Sequence, residues 1–226
     1  MTAAGPVLRP DPRLLDRCAV LVEAATLEGR RRVLGISGAP GAGKTTLVLA
    51  VLAAAAADPR LAGRVAHVPM DGYHLPNAEL DRLGRRHRKG APDTFDVEAY
   101  AATLTTARAT PRAALWAPSF DHGVGEPEPD SIEVPVGADL VLTEGNYLLL
   151  PDGGWPTVRA ELDEVWFCDL AAEQRRARLV DRHVLTGREV DDAEAWVDRS
   201  DEANARLVVT GRDRADVVVV DGLVVD

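Results

Sequence analysis

Gly38, Gly43, Lys44 and Thr45 stand at the spacing G-x-x-x-x-G-K-[ST] inside GISGAPGAGKTTLVLA. That spacing builds a cradle for nucleotide phosphates. Small residues from Gly38 through Ala39, Pro40, Gly41, Ala42 and Gly43 let the backbone wrap closely, and the helix that follows offers its positive end. Lys44 is then placed to reach the β- and γ-phosphates, with Thr46 beside it at the helix start and Thr45 positioned to bind Mg²⁺. Only two of the 26 basic residues are lysines, Lys44 and Lys89. A chain this rich in arginine keeps a flexible point charge where phosphates must be reached.

Further residues could act on a bound phosphate. Glu144 ends the apolar run Leu140, Val141 and Leu142, where an acid can hold Mg²⁺ or its water opposite Thr45. Asp71, in VPMDGYHLPN, sits at a strand end before Gly72, placed to accept or orient the proton of an attacking hydroxyl. A plain turn aspartate would occupy the same position. RRHRKG, at 85–90, is either a solvated charge run or a basic arm closing over phosphates, with Arg88 and Lys89 as its contacts. PSFDHG offers Phe120, Asp121 and His122 to grip a hydroxylated ligand, although a lone histidine is as readily a surface residue. Arg175, Arg178 and Arg182 fall on one helical face, either as a lid over the transferring phosphoryl group or as an exposed row paired with Glu173 and Asp181.

These residues need elements to hold them. Helical spacing over 13–29 precedes the buried strand RVLGIS, and KTTLVLAVLAAAAA is a strong helix former that stops before Asp58-Pro59. RVAHVPMD, AALWAPSFDH, DLVLTEGNYLLL and EVWFCDL read as further strands, and ADVVVVDGLVVD as a closing strand pair. Helical patterns occupy about 96–109, 171–186 and 191–209, while GVGEPEPDS at 123–131 reads as an exposed loop. Alternating strands and helices imply an α/β fold with a parallel sheet flanked by helices. Ligands bind outside the carboxyl ends of such strands, so Asp71, Asp121, Glu144 and Asp169 are expected on one edge.

With 226 residues, 46% of them hydrophobic, the chain suffices for one globular domain, with residues 1–12 as a loose lead-in. No segment reaches the roughly 18 apolar residues of a membrane span and no signal sequence is visible, so a cytoplasmic protein without membrane contact is expected. Cys18 and Cys168 suit two reduced thiols. A net charge of −10 argues against nucleic acid as a partner. Self-association as a homodimer stays open.

Together the motifs resemble the phosphoribulokinase, uridine kinase and type I pantothenate kinase group of P-loop kinases, over roughly residues 33–210. MDGYHLPN followed by RKGAPDTFD is similar to a pantothenate kinase pattern. The resemblance implies a three-layer P-loop fold with a small helical lid over about 171–210, ATP and Mg²⁺ as cofactors, and Asp71 as the catalytic acid. It also implies that Tyr73, His74, Phe95, Asn146 and Tyr147 line the acceptor site and that Asn204, in SDEANARLV, lies near the nucleotide. DRHVLTGR departs from the uridine kinase lid pattern, so the lid role falls to Arg178, Arg182 and Arg188. Compared with typical pantothenate kinases the chain is short. The reading that follows is transfer of the γ-phosphate of ATP to a hydroxyl of a small metabolite: a nucleoside, a sugar or a pantothenate-like acceptor. The alternative is a nucleotide-dependent switch or regulatory module. Neither an N-K-x-D motif nor an L-S-G-G-Q-like signature is present to support it.

Overall fold

A computed structural model describes residues 8–225; residues 1–7, most of the expected lead-in, lie outside the described residues. The chain enters helix α1 (Pro12–Glu28), capped by the Asp11 carboxylate, which accepts from the Arg13 backbone N–H at 3.0 Å. Strand β1 (Arg32–Gly38) leads through the phosphate loop into α2 (Lys44–Ala57). Strand β2 (Val65–Pro69) ends in a 3₁₀ turn over Met70–Tyr73, followed by α3 (Asn77–Arg82) and α4 (Val97–Arg108). Then come β3 (Leu115–Asp121), β4 (Glu126–Val134), β5 (Leu140–Gly145), α5 (Trp155–Ala160) and β6 (Glu164–Asp169). Helices α6 (Ala172–Leu185), α7 (Val190–Trp196) and α8 (Glu202–Val209) precede the hairpin of β7 (Val217–Val220) and β8 (Leu223–Val225).

The main sheet runs β2-β5-β1-β6-β7-β8, parallel except for the last pair. Successive side chains of a strand point to opposite faces, so a strand covered on both sides is apolar throughout. Strand β5 obeys this: Leu140 and Leu142 pack with α1 and α2, while Val141 faces the layer of α4, α5 and α8. The expected three-layer α/β fold is therefore what forms. Register carries the chemistry to one edge, because Glu144 lies beside Ile36 of β1 and Pro69 of β2. The phosphate loop and the Asp71 turn both begin within two residues of those partners.

Two expectations need correction. The segment 115–121 forms a strand but does not join the parallel sheet, and 123–131 is not simply a loop. The Asp121 carboxylate accepts the backbone N–H groups of Gly123 and Val124 at 2.7 and 3.2 Å, which reverses the chain within a few residues. The result is the separate antiparallel hairpin β3–β4. The two prolines in Glu126–Val134 suppress a sequence-level strand signal, yet they are tolerated at a sheet edge. Asp121 consequently leaves the edge of the parallel sheet and serves its own turn, whereas Asp169 closes β6 on that edge, one residue past Cys168 opposite Gly38, and pairs with Arg212 at 2.8 Å.

Arg31 is fully buried and holds the end opposite the site together. Its guanidinium donates to the carbonyls of Ala138, Ala107, Ala113 and Pro135 at 2.7–3.1 Å, joining the C-terminal turn of α4 to the segments flanking the hairpin. Arg31→Met would leave four buried or half-buried carbonyls without this donor. It is expected to cost about 3–5 kcal/mol of stability. Urea denaturation followed by far-ultraviolet circular dichroism checks this, and a loss below about 1 kcal/mol would contradict it.

Candidate active site

The phosphate loop takes its shape from glycine. Gly38, Gly41 and Gly43 have φ of 152°, 77° and 90°, values that side-chain-bearing residues rarely adopt. A Cβ on Gly38 would also stand 2.5 Å from the Cys168 carbonyl oxygen. Helix α2 has no side-chain cap at its start, so its first N–H groups remain available to an anion. The Lys44 ammonium is folded back into the loop, donating to the Gly38 and Ala39 carbonyls at 2.9 and 3.2 Å and to Asn146 Oδ1 at 2.6 Å. Burial lowers its pKa from the ordinary amine value, and Glu144 opposes that shift.

Glu144 is only 8% exposed, and its carboxylate accepts the Thr45 hydroxyl at 3.0 Å. Burial raises the carboxyl pKa, while Lys44 and the Thr45 hydroxyl pull it down. His67 Nε2 lies 3.9 Å away, and burial takes that imidazole down to about 4, so it is a neutral neighbour at pH 7. Thr45 and Glu144 thus juxtapose a hydroxyl and a carboxylate, the hard oxygen donors suited to Mg²⁺ when phosphates supply further oxygens.

Asp71 sits in the 3₁₀ turn just beyond β2 rather than in the strand. Its carboxylate makes no hydrogen bond or ion pair with the described residues, and it opens onto a cleft of about 700 Å³ shared with Lys44, Thr45 and Glu144. The turn is built for tight packing. Gly72 lies so close to the β3–β4 hairpin that a Cβ there would be 2.1 Å from the Pro118 carbonyl oxygen. Gly72→Ala must therefore displace the turn. It is expected to cost about 1–3 kcal/mol and, by moving Asp71, roughly 10²-fold in turnover. Thermal melts together with steady-state rates test both, and an unchanged rate would show that this close approach does not position Asp71.

The cleft gathers several anticipated residues. His74 donates through Nδ1–H to the Asp71 backbone carbonyl at 2.8 Å and packs on Phe95 and Phe120 at ring distances of 4.1 and 4.5 Å. Lys89 stands over Phe120, 5.1 Å from the ring centroid, and His122 is also on the wall. Other anticipated acceptor contacts are indirect. Tyr73 and Tyr147 are buried in the core: Tyr73 packs on Tyr100, and the Tyr147 hydroxyl donates to the Gly90 carbonyl at 2.5 Å. Arg88 turns away to Asp93 at 2.6 Å. Asn146 faces the cleft but spends its carbonyl oxygen on Lys44.

Asn204 lines the larger cleft together with Pro40, Gly41 and Lys44 of the phosphate loop, and its Nδ2 donates to the Gly90 carbonyl at 3.4 Å. The helix expected over 191–209 contains a π turn at Val197–Asp201, whose wider winding rotates every later side chain. That turn also brings Asp201 to the wall, where it pairs with His183 at 3.0 Å. Arg86, Asn77, Trp196 and this pair are cleft residues that the sequence reading missed. Arg86 was within reach, since it belongs to the same RRHRKG run as Lys89.

The arginine row divides. Arg175 is buried, bridging Glu202 at 3.1 Å and the Pro40 carbonyl at 3.3 Å, and so fastens α6 to the phosphate loop. Arg178 and Arg182 face a second cavity, of about 450 Å³, that runs over Gly43, Thr46 and Cys168 to the β7–β8 turn. Gly41, Lys44, Thr45 and Arg182 line both cavities. One phosphate loop is therefore bordered on either side by a chamber, and a group bound at Lys44 can face both.

No family model matches the chain. A kinase-like protein of Aspergillus versicolor, described as ATP-dependent, is 41% identical over 133 residues, covering 56% of this chain and 77% of that protein. A Schizosaccharomyces pombe protein described as a candidate uridine kinase is 34% identical, with 85% of each chain covered. The pantothenate kinase of Lacticaseibacillus casei is 35% identical over 121 residues, and the chain spans only 38% of its length. Among solved structures, a protein of Silicibacter described as a candidate fructose transport system kinase superposes with a TM-score of 0.77 at 33% identity, covering 89% of this chain and 98% of that one.

Proposed function

Because the chain belongs to the P-loop kinases similar to uridine kinase, and is thus an ATP-using phosphotransferase, we propose that it transfers the γ-phosphate of ATP to a hydroxyl of a small metabolite held in the larger cleft. The observation that carries this reading is the pair of chambers meeting at Lys44, Thr45 and Arg182, with Asp71 on the acceptor side alone. A nucleotide in the chamber beside Arg178 would direct its terminal phosphate through the loop toward Asp71.

In that arrangement Lys44 leaves its carbonyl partners to donate to β- and γ-phosphate oxygens, and the free N–H groups at the start of α2 hold the same charge. Thr45 and Glu144 would hold Mg²⁺, which neutralises charge building on the phosphates. The acceptor oxygen forms the new P–O bond as the bond to the β-phosphate bridging oxygen breaks. ADP departs, and the hydroxyl proton passes to the Asp71 carboxylate. Arg182 faces both chambers and can follow the charge between them. ADP release measured against a panel of nucleosides, sugars, sugar phosphates and hydroxy acids tests the proposal. Release that depends on one class of acceptor is expected; equal release with and without every acceptor would overturn it.

A further inference from the structure

Resting on the reading of Thr45 and Glu144 as the pair that holds Mg²⁺, we propose that His67 is a positioning residue for that pair: in the nucleotide-bound protein its Nε2–H donates to Glu144 Oε1 and fixes the carboxylate that Thr45 holds from the other side. The backbone brings the two side chains together. His67 of β2 stands opposite Leu142 of β5, and Glu144 lies two residues further along, opposite Pro69. Alternate residues of a strand share a face, so His67 and Glu144 are diagonal neighbours on the face where Val65 and Leu142 pack with α1 and α2. Thr45 reaches the same carboxylate from the first turn of α2.

Each partner lacks what the other supplies. His67 Nε2 is buried and has no hydrogen-bond partner, a costly state that an apolar side chain at this position would avoid. On Glu144, Oε2 accepts the Thr45 hydroxyl at 3.0 Å, while Oε1 accepts no hydrogen bond among the described residues. Nε2 and Oε1 stand 3.9 Å apart, beyond hydrogen-bond length but within a small rotation of either side chain. The ring is neutral at pH 7, so it offers Glu144 a directed hydrogen bond, and the balancing charge comes from Lys44. That division suits a metal ligand: a neutral outer partner leaves the carboxylate its full charge, and the hydrogen bond sets which lone pairs face the cation. His67 lines neither chamber, so an effect of replacing it on metal or nucleotide must pass through a neighbour.

Metal binding tests this apart from turnover. Mn²⁺ stands in for Mg²⁺, the protein is held in excess over a non-hydrolysable ATP analogue, and electron paramagnetic resonance of free Mn²⁺ gives the binding midpoint. Isothermal titration in EDTA gives the affinity for the analogue without metal. His67→Leu is expected to raise the Mn²⁺ midpoint about 10-fold or more, with the melting temperature no lower and the metal-free affinity unchanged. His67→Gln, whose side-chain N–H reaches about as far as Nε2, should restore most of the metal affinity, whereas a space-filling role would favour leucine over glutamine. An unmoved midpoint in His67→Leu, a glutamine variant as weak as the leucine variant, or a metal-free affinity that falls in step with the metal affinity would overturn the positioning role. Failure of the unchanged protein to bind Mn²⁺ with the analogue would overturn it together with the metal pair. Metal binding that depends on His67, without transfer to any acceptor, would sink the transfer reading and leave the positioning role standing. Acceptor-dependent transfer with an unmoved midpoint would do the reverse.

Discussion

Asp71→Asn is expected to bind nucleotide as the unchanged protein does and to lose about 10²–10⁴-fold in turnover, equivalent to roughly 3–5 kcal/mol of transition-state stabilisation. The substitution keeps size and polarity but removes the basic oxygen that would take the hydroxyl proton. Nothing in the fold should suffer, because the Asp71 carboxylate holds no hydrogen bond or ion pair with the described residues, and the turn is fixed through its backbone and Gly72. The effect should fall on kcat rather than on the KM for ATP, since Asp71 lines only the larger chamber, the one proposed to hold the acceptor. Isothermal titration with a non-hydrolysable analogue and steady-state kinetics separate the two. Turnover within about threefold of the unchanged protein would remove Asp71 from the reaction.

Lys44→Met is the second large effect. Lys44 is the one cation that lines both chambers from inside the phosphate loop, and its charge balances Glu144. Its removal should lower kcat by about 10²–10³-fold, the range for losing one preorganised donor to a developing anion. Unlike Asp71→Asn, it should also weaken nucleotide binding. A further consequence follows for Glu144: without the opposing cation, burial dominates and its carboxyl pKa rises further. Nucleotide affinity and kcat measured together check the prediction, and a variant that lost affinity at unchanged kcat would assign Lys44 to binding alone.

The phosphate loop was legible because its chemistry is local. Gly38, Gly41 and Gly43 are needed for backbone angles, and Lys44 and Thr45 follow within one turn. Glu144 was legible for a related reason: an acid closing an apolar strand in a parallel sheet has one edge on which to stand. What escaped depends on side-chain direction or on winding. Tyr73 and Tyr147 sit next to functional positions in sequence, yet their rings complete the core under the cleft. Arg88 and Lys89 are neighbours on a short 3₁₀ segment and its end, and only one can face the acceptor. The winding of 191–209 escaped because a π turn has no periodicity signal that a regular helical pattern would reveal. Arg175 fits neither a lid nor an exposed row, because its burial depends on Glu202, 27 residues further on. The β3–β4 hairpin was missed because prolines and acids in Glu126–Val134 mark an edge, and edges resemble loops in composition.

The central claim is that the terminal phosphate crosses from one chamber to the other and ends on a small molecule. Tracing it directly requires ATP labelled with ³²P at the γ-position, incubated with the protein and a deproteinised mixture of small metabolites, followed by chromatographic separation of the labelled species. The label is predicted to appear in an organic phosphate ester, in amounts matching the ADP formed, and Asp71→Asn should suppress that product. Label found only as inorganic phosphate, at a rate indifferent to the metabolites present, would contradict the account.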